Sequence, residues 1–337
     1  MSATDKPLLS VRDLKKHFPI KGGILGRTQA MVQAVDGVSF DVRAGETLGI
    51  VGESGCGKST TAKLLIGLVD RDEGDIDLGG KSLGRDISLR ALRRDIQMVF
   101  QDSYASLNPR MTILDSIAFG ARVQGLDDPA GRARRLMARV GLDPDRFAGR
   151  YPHELSGGQR QRINIARALV MSPKVVVLDE AVSALDKSVE AQVLNLLSDL
   201  RAEFGLTYIF ISHDLNVVRY ISDRILVMYL GEVVELAPVD MIWAEQAHPY
   251  TRSLFSAMPS MDPDNRTQKP PLTGDPPNPI DPPPGCRFHT RCAFAADICK
   301  TRHPALGPMV AGSPHWVACH LHDPASGHPR AGQGVPA

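Results

Sequence analysis

Apolar and polar positions alternate along this chain with two different periods, and the change of period marks its parts. Leu8 to Val11, Met31 to Val35 and Val38 to Val42 are short β-like runs, and Thr47-Leu48-Gly49-Ile50-Val51 is the continuous apolar run of a buried strand. Ser59 to Leu68 then predicts a helix packed through Leu64, Leu65 and Leu68, and Ile96-Gln97-Met98-Val99-Phe100 predicts another strand. From about 105 to 150 the spacing is helical, with a break at Asn108-Pro109 followed by Ile113 to Ala121 and Ala130 to Val140. Beyond that lobe the pattern predicts a helix at Gln159 to Val170, a strand at Lys174 to Leu178 and a helix at Val189 to Glu203. A strand at Thr207 to Ile211 and a hairpin over Ile225 to Glu235, turning at Gly231, follow. Strands alternating with helices imply an α/β sheet core with an N-terminal β portion and an inserted helical lobe.

Composition adds boundaries. A chain of 337 residues, 43% hydrophobic, can bury one sizeable core and a smaller unit. Residues 261–284 hold nine of the 25 prolines, too many for a helix or an inner strand, so this stretch reads as an extended linker. Past Leu321 there is little to bury, and 322–337 is expected to be a disordered tail. Lys+Arg and Asp+Glu nearly cancel, at 39 and 38, which argues against a nucleic-acid partner. No run of 18 apolar residues and no signal-like start is seen, so the chain is expected to be soluble and cytoplasmic.

The chemistry begins at Gly52-Glu53-Ser54-Gly55-Cys56-Gly57-Lys58-Ser59-Thr60, which has the G-x-x-x-x-G-K-[ST] spacing of a phosphate loop. Its glycines let successive backbone N–H groups converge on phosphate oxygens at a helix start. Lys58 would reach the β- and γ-phosphates of ATP, and Ser59 would ligate Mg²⁺. A second element is the apolar strand that ends in Asp179-Glu180. At the carboxyl edge of a parallel sheet, Asp179 can meet the same Mg²⁺, and Glu180 can deprotonate an attacking water.

Leu155-Ser156-Gly157-Gly158-Gln159 separates this chain from other phosphate-loop proteins: it resembles the signature segment of ABC transporter ATP-binding subunits. The resemblance spans roughly residues 8–255, with the helical subdomain at about 102–155. It implies a P-loop NTPase core, and it implies that Ser156 to Gln159 face the ATP held by a second ABC subunit, related but not identical. Gln101 resembles the Q-loop residue that touches Mg²⁺ and the attacking water, and Ser183-Ala184-Leu185-Asp186 resembles the D-loop of the dimer interface. His213, in Ile211-Ser212-His213-Asp214, resembles the switch histidine at the γ-phosphate, and Phe18, after Lys15-Lys16-His17, resembles the aromatic residue that stacks on adenine. Ala181-Val182 stands where the family commonly has Pro-Thr, but these are not ligand positions.

The C-terminal portion narrows the resemblance. His248-Pro249-Tyr250-Thr251-Arg252, a linker at 256–284, and a segment at 285–321 bearing Cys286, Cys292, Cys299 and Cys319 resemble the extension of dipeptide and oligopeptide importer ATPases. In that family the four cysteines resemble [4Fe–4S] ligands. Four thiolates suit either such a cluster or zinc, and gaps of five, six and nineteen residues lean away from the close C-x₂-C pairs of zinc sites. Cys56 is given no such metal role. The resemblance further implies two transmembrane permease subunits, an extracytoplasmic solute-binding protein, and a peripheral location on the cytoplasmic face of the inner membrane. The alternative is a non-transport ABC ATPase in which the cysteine region senses redox state.

Overall fold

Two long strands open the chain. In the computed structural model, which describes residues 6–22, 27–258 and 277–334, β1 (Leu9–Gly22) and β2 (Arg27–Val42) pair antiparallel. The runs at Met31 to Val35 and Val38 to Val42 belong to this one strand. A register shift absorbs Asp36-Gly37, where Gly37 takes φ +74°. Next come β3 (Thr47–Val51), buried throughout, and α1 (Lys58–Leu65). The helix ends before the expected Leu68, because Gly67 turns into the left-handed region at φ +62°, and Leu68 is left exposed instead of packed. β4 (Glu73–Leu78) and β5 (Lys81–Ser82) complete a four-stranded antiparallel sheet in the order β2-β1-β4-β5. β4 buries only Ile76 and Leu78, an alternation too brief to stand out in the sequence.

α2 (Leu89–Asp95) leads into β6 (Ile96–Val99), and the lobe then inserts α3 (Ile113–Val123), α4 (Pro129–Arg139) and the single turn α5 (Pro144–Phe147). α3 packs on α4 and on α6 (Gly157–Leu169) through Ile113, Ile117, Ala133, Met137 and Ile163, all fully buried. The chain returns through β7 (Val175–Asp179), α7 (Lys187–Phe204), β8 (Thr207–Ile211), α8 (Leu215–Ile221), β9 (Arg224–Tyr229) and β10 (Glu232–Pro238). β6, β7, β8, β3 and β9 lie side by side and parallel. Both faces of this sheet are covered, which is why its strands are continuously apolar. Val176, Leu178, Tyr208 and Phe210 enter one core, and Val175, Val177, Ile209 and Ile211 the other, as the two-residue period of a strand requires.

α9 (Val239–Ala244) and α10 (Pro249–Ser256) follow the sheet. Most of the proline-rich stretch lies outside the described residues, but within its end the Pro279 carbonyl accepts from the Gln33 N–H at 2.9 Å. The extension holds α11 (Asp297–Thr301) and the short β11 (Gly307–Pro308) and β12 (Trp316–Val317), which lengthen the main sheet antiparallel to β10. Arg287 fastens it to the core, pairing with Glu232 at 2.8 Å and with Asp36, and donating to Gln33 and the Leu230 carbonyl. Residues 322–334, expected to form a disordered tail, are folded back. Polar side chains do what apolar area cannot: His322 Nε2 bonds the Ala247 carbonyl at 2.7 Å, and His328 Nε2 bonds the Phe294 carbonyl at 2.9 Å. The remaining tail residues, 335–337, lie outside the described residues. Among the described residues, no helix is long and apolar enough to cross a membrane.

Candidate active site

Because β3, β6, β7 and β8 run parallel, the segments leaving their carboxyl ends share one edge of the sheet. From β3 comes the loop 52–60. Gly52, Gly55 and Gly57 have φ of +149°, +79° and +107°. A side chain at 52 would strike the Met228 carbonyl and one at 57 the Ala34 carbonyl, so the glycines at those two positions answer to both backbone and space. Lys58 folds over the loop, its Nζ donating to the carbonyls of Gly52 at 2.7 Å and Glu53 at 3.0 Å. Cys56 is buried, and burial raises its thiol pKa. Ser54 and Thr60 lie in the same loop and first helical turn.

From β7 come Asp179 and Glu180. Ser59 Oγ donates to Asp179 Oδ1 at 2.9 Å, so the helix start and the strand end present a hydroxyl and a carboxylate together. Burial raises the Asp179 pKa, and the Glu180 charge adds to this, while the Ser59 bond and the charges of Lys63 and Lys58 oppose it. A hard cation would offset that penalty, and this oxygen pair could hold Mg²⁺. Glu180 sits at φ +49°, in the left-handed region that a non-glycine residue seldom takes, and its N–H bonds the Ile211 carbonyl at 2.9 Å. Its two oxygens face different partners. Gln101, just past β6, donates through Nε2 to Oε2 at 2.7 Å, and His213, just past β8, places Nδ1 3.6 Å from Oε1. Loops from four strands thus meet at Asp179 and Glu180, bringing together Lys58, Ser59, Gln101 and His213.

Ser156 to Gln159 are elsewhere. Ser156 caps α6, accepting from the Gln159 N–H at 3.3 Å while Gln159 Oε1 accepts from the Ser156 N–H at 3.0 Å. Gly158 lies against Val189 of α7, where any side chain would collide, and Gly157 lies near Leu185. Among the described residues no hydrogen bond or ion pair joins 156–159 to 52–60, and Ser156 is exposed. Phe18 is partly exposed on β1 with the Lys16 ammonium 5.5 Å from its ring centre, and none of its described contacts reaches the loop. Asn164 Nδ2 bonds the Ser103 carbonyl at 3.0 Å, and Arg167 donates to the Ser106 carbonyl, so the segment after Gln101 is tied to the signature helix.

Cys286, Cys292, Cys299 and Cys319 line one small cavity together with Phe288 and Phe294. Burial pushes the Cys286 thiol up to about 12 and the Cys292 thiol up to about 11, and it raises Cys319 further; neighbouring thiols add to each shift. The thiols converge, yet among the described residues no group of three or more His, Cys, Asp or Glu is placed to hold a metal ion. As placed, the four sulfurs do not form the ligand cage of the expected [4Fe–4S] or zinc centre.

Two residues of the site were not singled out for it in the sequence. Tyr250 accepts from the Glu53 N–H at 2.8 Å, and Arg291 grips the Glu53 carboxylate with both terminal nitrogens, at 2.9 and 3.1 Å. Both lie in segments read for family resemblance alone. The contacts cross 197 and 238 positions of sequence, and no local pattern signals such a contact.

Comparison with known proteins agrees with this architecture. Residues 35–183 match the ABC transporter family, and residues 234–299 match the oligopeptide/dipeptide transporter C-terminal region. The oligopeptide transport ATP-binding protein AppF of Bacillus subtilis (strain 168) is 48% identical over 329 residues, covering 95% of this chain and 99% of that protein. OppF of Escherichia coli (strain K12), with the same description, is 51% identical over 332 residues, covering 95% and 97%. Among solved structures, cbiO1 from Clostridium perfringens, part of the ABC transporter complex cbiONQ, aligns with a TM-score of 0.60 at 28% identity, over 72% of this chain and 92% of that one. The ATP-binding cassette MJ0796, solved as a dimer in a post-hydrolysis state with ADP and Pi, aligns with a TM-score of 0.59 at 28% identity, over 68% and 98%. With a phosphate loop, paired carboxylates and a glutamine and histidine at one sheet edge, and relatives this similar over nearly its whole length, the chain belongs to the ABC transporter ATP-binding family and is an ATPase of that family.

Proposed function

We propose that this chain powers import of peptides or related small solutes, as one of two ATP-binding subunits beneath a pair of permease subunits. The observation that carries the reading is the convergence of Ser59, Asp179, Glu180, Gln101 and His213 at one sheet edge beside the 52–60 loop. Backbone N–H groups of that loop and the α1 terminus cradle the triphosphate, and Lys58 turns from its carbonyl contacts to the β- and γ-phosphates. Ser59, Asp179 and Gln101 are the residues that would hold Mg²⁺, which when bound neutralises charge on the phosphate oxygens. Glu180 takes the proton of the attacking water, Gln101 orients that carboxylate and the water, and His213 contacts the γ-phosphate. Phe18 stacks on the adenine.

Ser156, Gly157, Gly158 and Gln159 complete the ATP site of a second, related but non-identical subunit. In support, Ser156 is exposed and Gly157 to Gln159 are half-buried, the segment is not bonded to the loop of its own chain, and it forms a capped helix N-terminus suited to an anion. The oligopeptide transport described for the relatives, together with the matching C-terminal region, supports a peptide cargo delivered by an extracytoplasmic binding protein. The chain then works at the cytoplasmic face of the inner membrane. The test is reconstitution in vesicles with permease subunits and an extracytoplasmic binding protein of the peptide-import class: ATP hydrolysis should rise when the binding protein carries peptide. A rate indifferent to the permease and to peptide would reject the importer reading.

The cysteine segment is read as the ligand set of a [4Fe–4S] cluster, with zinc second, supported by the convergence of four thiols on one cavity. Anaerobic purification decides it: brown protein with iron and sulfide in equal amounts is the expected result, and colourless protein with stoichiometric zinc rejects the cluster.

A further inference from the structure

Glu53 is an oddity in an anion-binding loop. Its carboxylate stands beside the residues that receive a polyanionic triphosphate, and its carbonyl is one of the two that hold Lys58. A negative charge there opposes ATP binding unless another group cancels it. The loop contains no such group beyond Lys58, which the phosphates themselves require.

The cancelling charge comes from the extension. The Arg291 guanidinium makes a two-pronged pair with Glu53, at 2.9 and 3.1 Å, and its side chain is only 5% exposed. Nη1 also lies 3.4 Å from the Tyr229 hydroxyl, and the guanidinium rests 6.0 Å from the ring centres of Tyr229 and Phe288. Those rings and Tyr250 pack together with centres 4.6, 5.3 and 5.5 Å apart, and the Tyr250 hydroxyl holds the Glu53 N–H. Glu53 is thus gripped at its side chain and its backbone by residues outside the loop. Arg291 is in turn fixed by tight turns between Cys286 and Cys292: its N–H bonds the Phe288 carbonyl at 3.0 Å, and the His289 N–H bonds the Cys286 carbonyl at 2.9 Å.

We propose that Arg291 is a positioning residue for ATP: through it the cysteine-bearing extension neutralises and fixes Glu53, so that docking of the extension and affinity of the loop for ATP are coupled. The proposal rests on reading 52–60 as the ATP site.

The test uses the full-length chain in its assembled transporter, measuring ATP binding and the KM and kcat for ATP. Arg291→Gln should raise KM about fivefold or more, with a much smaller change in kcat. Arg291→Lys, which keeps the charge and most of the packing but loses the fork, should fall between it and the parent, and carries the test if the glutamine variant does not fold. The decisive arm is the double variant Glu53→Gln, Arg291→Gln. Removing the carboxylate removes the need for its partner, so KM should return towards the parental value. An arginine that only fastens the extension would not be rescued this way. A KM within twofold of the parent in both single variants, or a double variant as impaired as Arg291→Gln, overturns the proposal alone. A parent that binds no ATP overturns the assignment of the loop and this proposal with it.

Discussion

Gln101 Nε2 and Glu180 Oε2 stand 2.7 Å apart, joining the ends of β6 and β7 across 79 positions of sequence. The bond fixes one carboxylate oxygen and turns the other towards His213. A general base works only when held within reach of its water. Gln101→Ala frees the carboxylate to rotate, so kcat for ATP hydrolysis should fall about tenfold or more. Equilibrium ATP binding should change much less, because the loop and Lys58 are untouched. Paired rate and binding measurements on the assembled complex check this.

Two loop glycines should differ in what they tolerate. Gly55 has φ +79° with open space around it, so Gly55→Ala meets backbone strain alone, about 1–2 kcal/mol. Gly57 has φ +107°, and any Cβ there collides with the Ala34 carbonyl, which belongs to β2 and cannot yield without moving the strand. Gly57→Ala should therefore lower the melting temperature more than Gly55→Ala and should abolish ATP binding. Melting curves with and without nucleotide read both effects.

The same contrast shows what the sequence could reveal. The strands that the core buries on both faces were legible as apolar runs, and their shared direction put Asp179, Glu180, Gln101 and His213 at one edge. β4 was not legible, since Ile76 and Leu78 are its sole buried apolar residues, and Leu68 was misjudged because Gly67 ends its helix first. The tail at 322–334 was misread because histidine-to-carbonyl bonds, unlike apolar stripes, have no period. Arg291 is beside Cys292 in the sequence, and its distant partner Glu53 emerged only with the fold.

His248 predicts a pH dependence. It is fully enclosed, its Nδ1 accepts from the Tyr250 N–H at 3.0 Å, and burial pushes its pKa down to about 4 from an ordinary 6.5. The unfolded chain therefore binds a proton that the folded chain refuses between those values. Stability from this residue is complete above pH 6.5 and is lost as pH falls towards 4, the loss having reached about 2 kcal/mol at pH 5. His248→Asn, which keeps an acceptor at the cap but does not titrate, should melt with a shallower slope between pH 7 and pH 5. Identical slopes would mean that the imidazole takes up its proton equally in the folded and the unfolded chain.

If Glu180 activates water at an ATP site completed by two subunits, the Glu180→Gln variant of the assembled transporter should separate ATP binding from hydrolysis. The amide keeps the Gln101 contact side of the residue but cannot accept the proton. Measured together, ATP occupancy should match the parent while hydrolysis falls by about a hundredfold or more; hydrolysis at the parental rate would contradict the account.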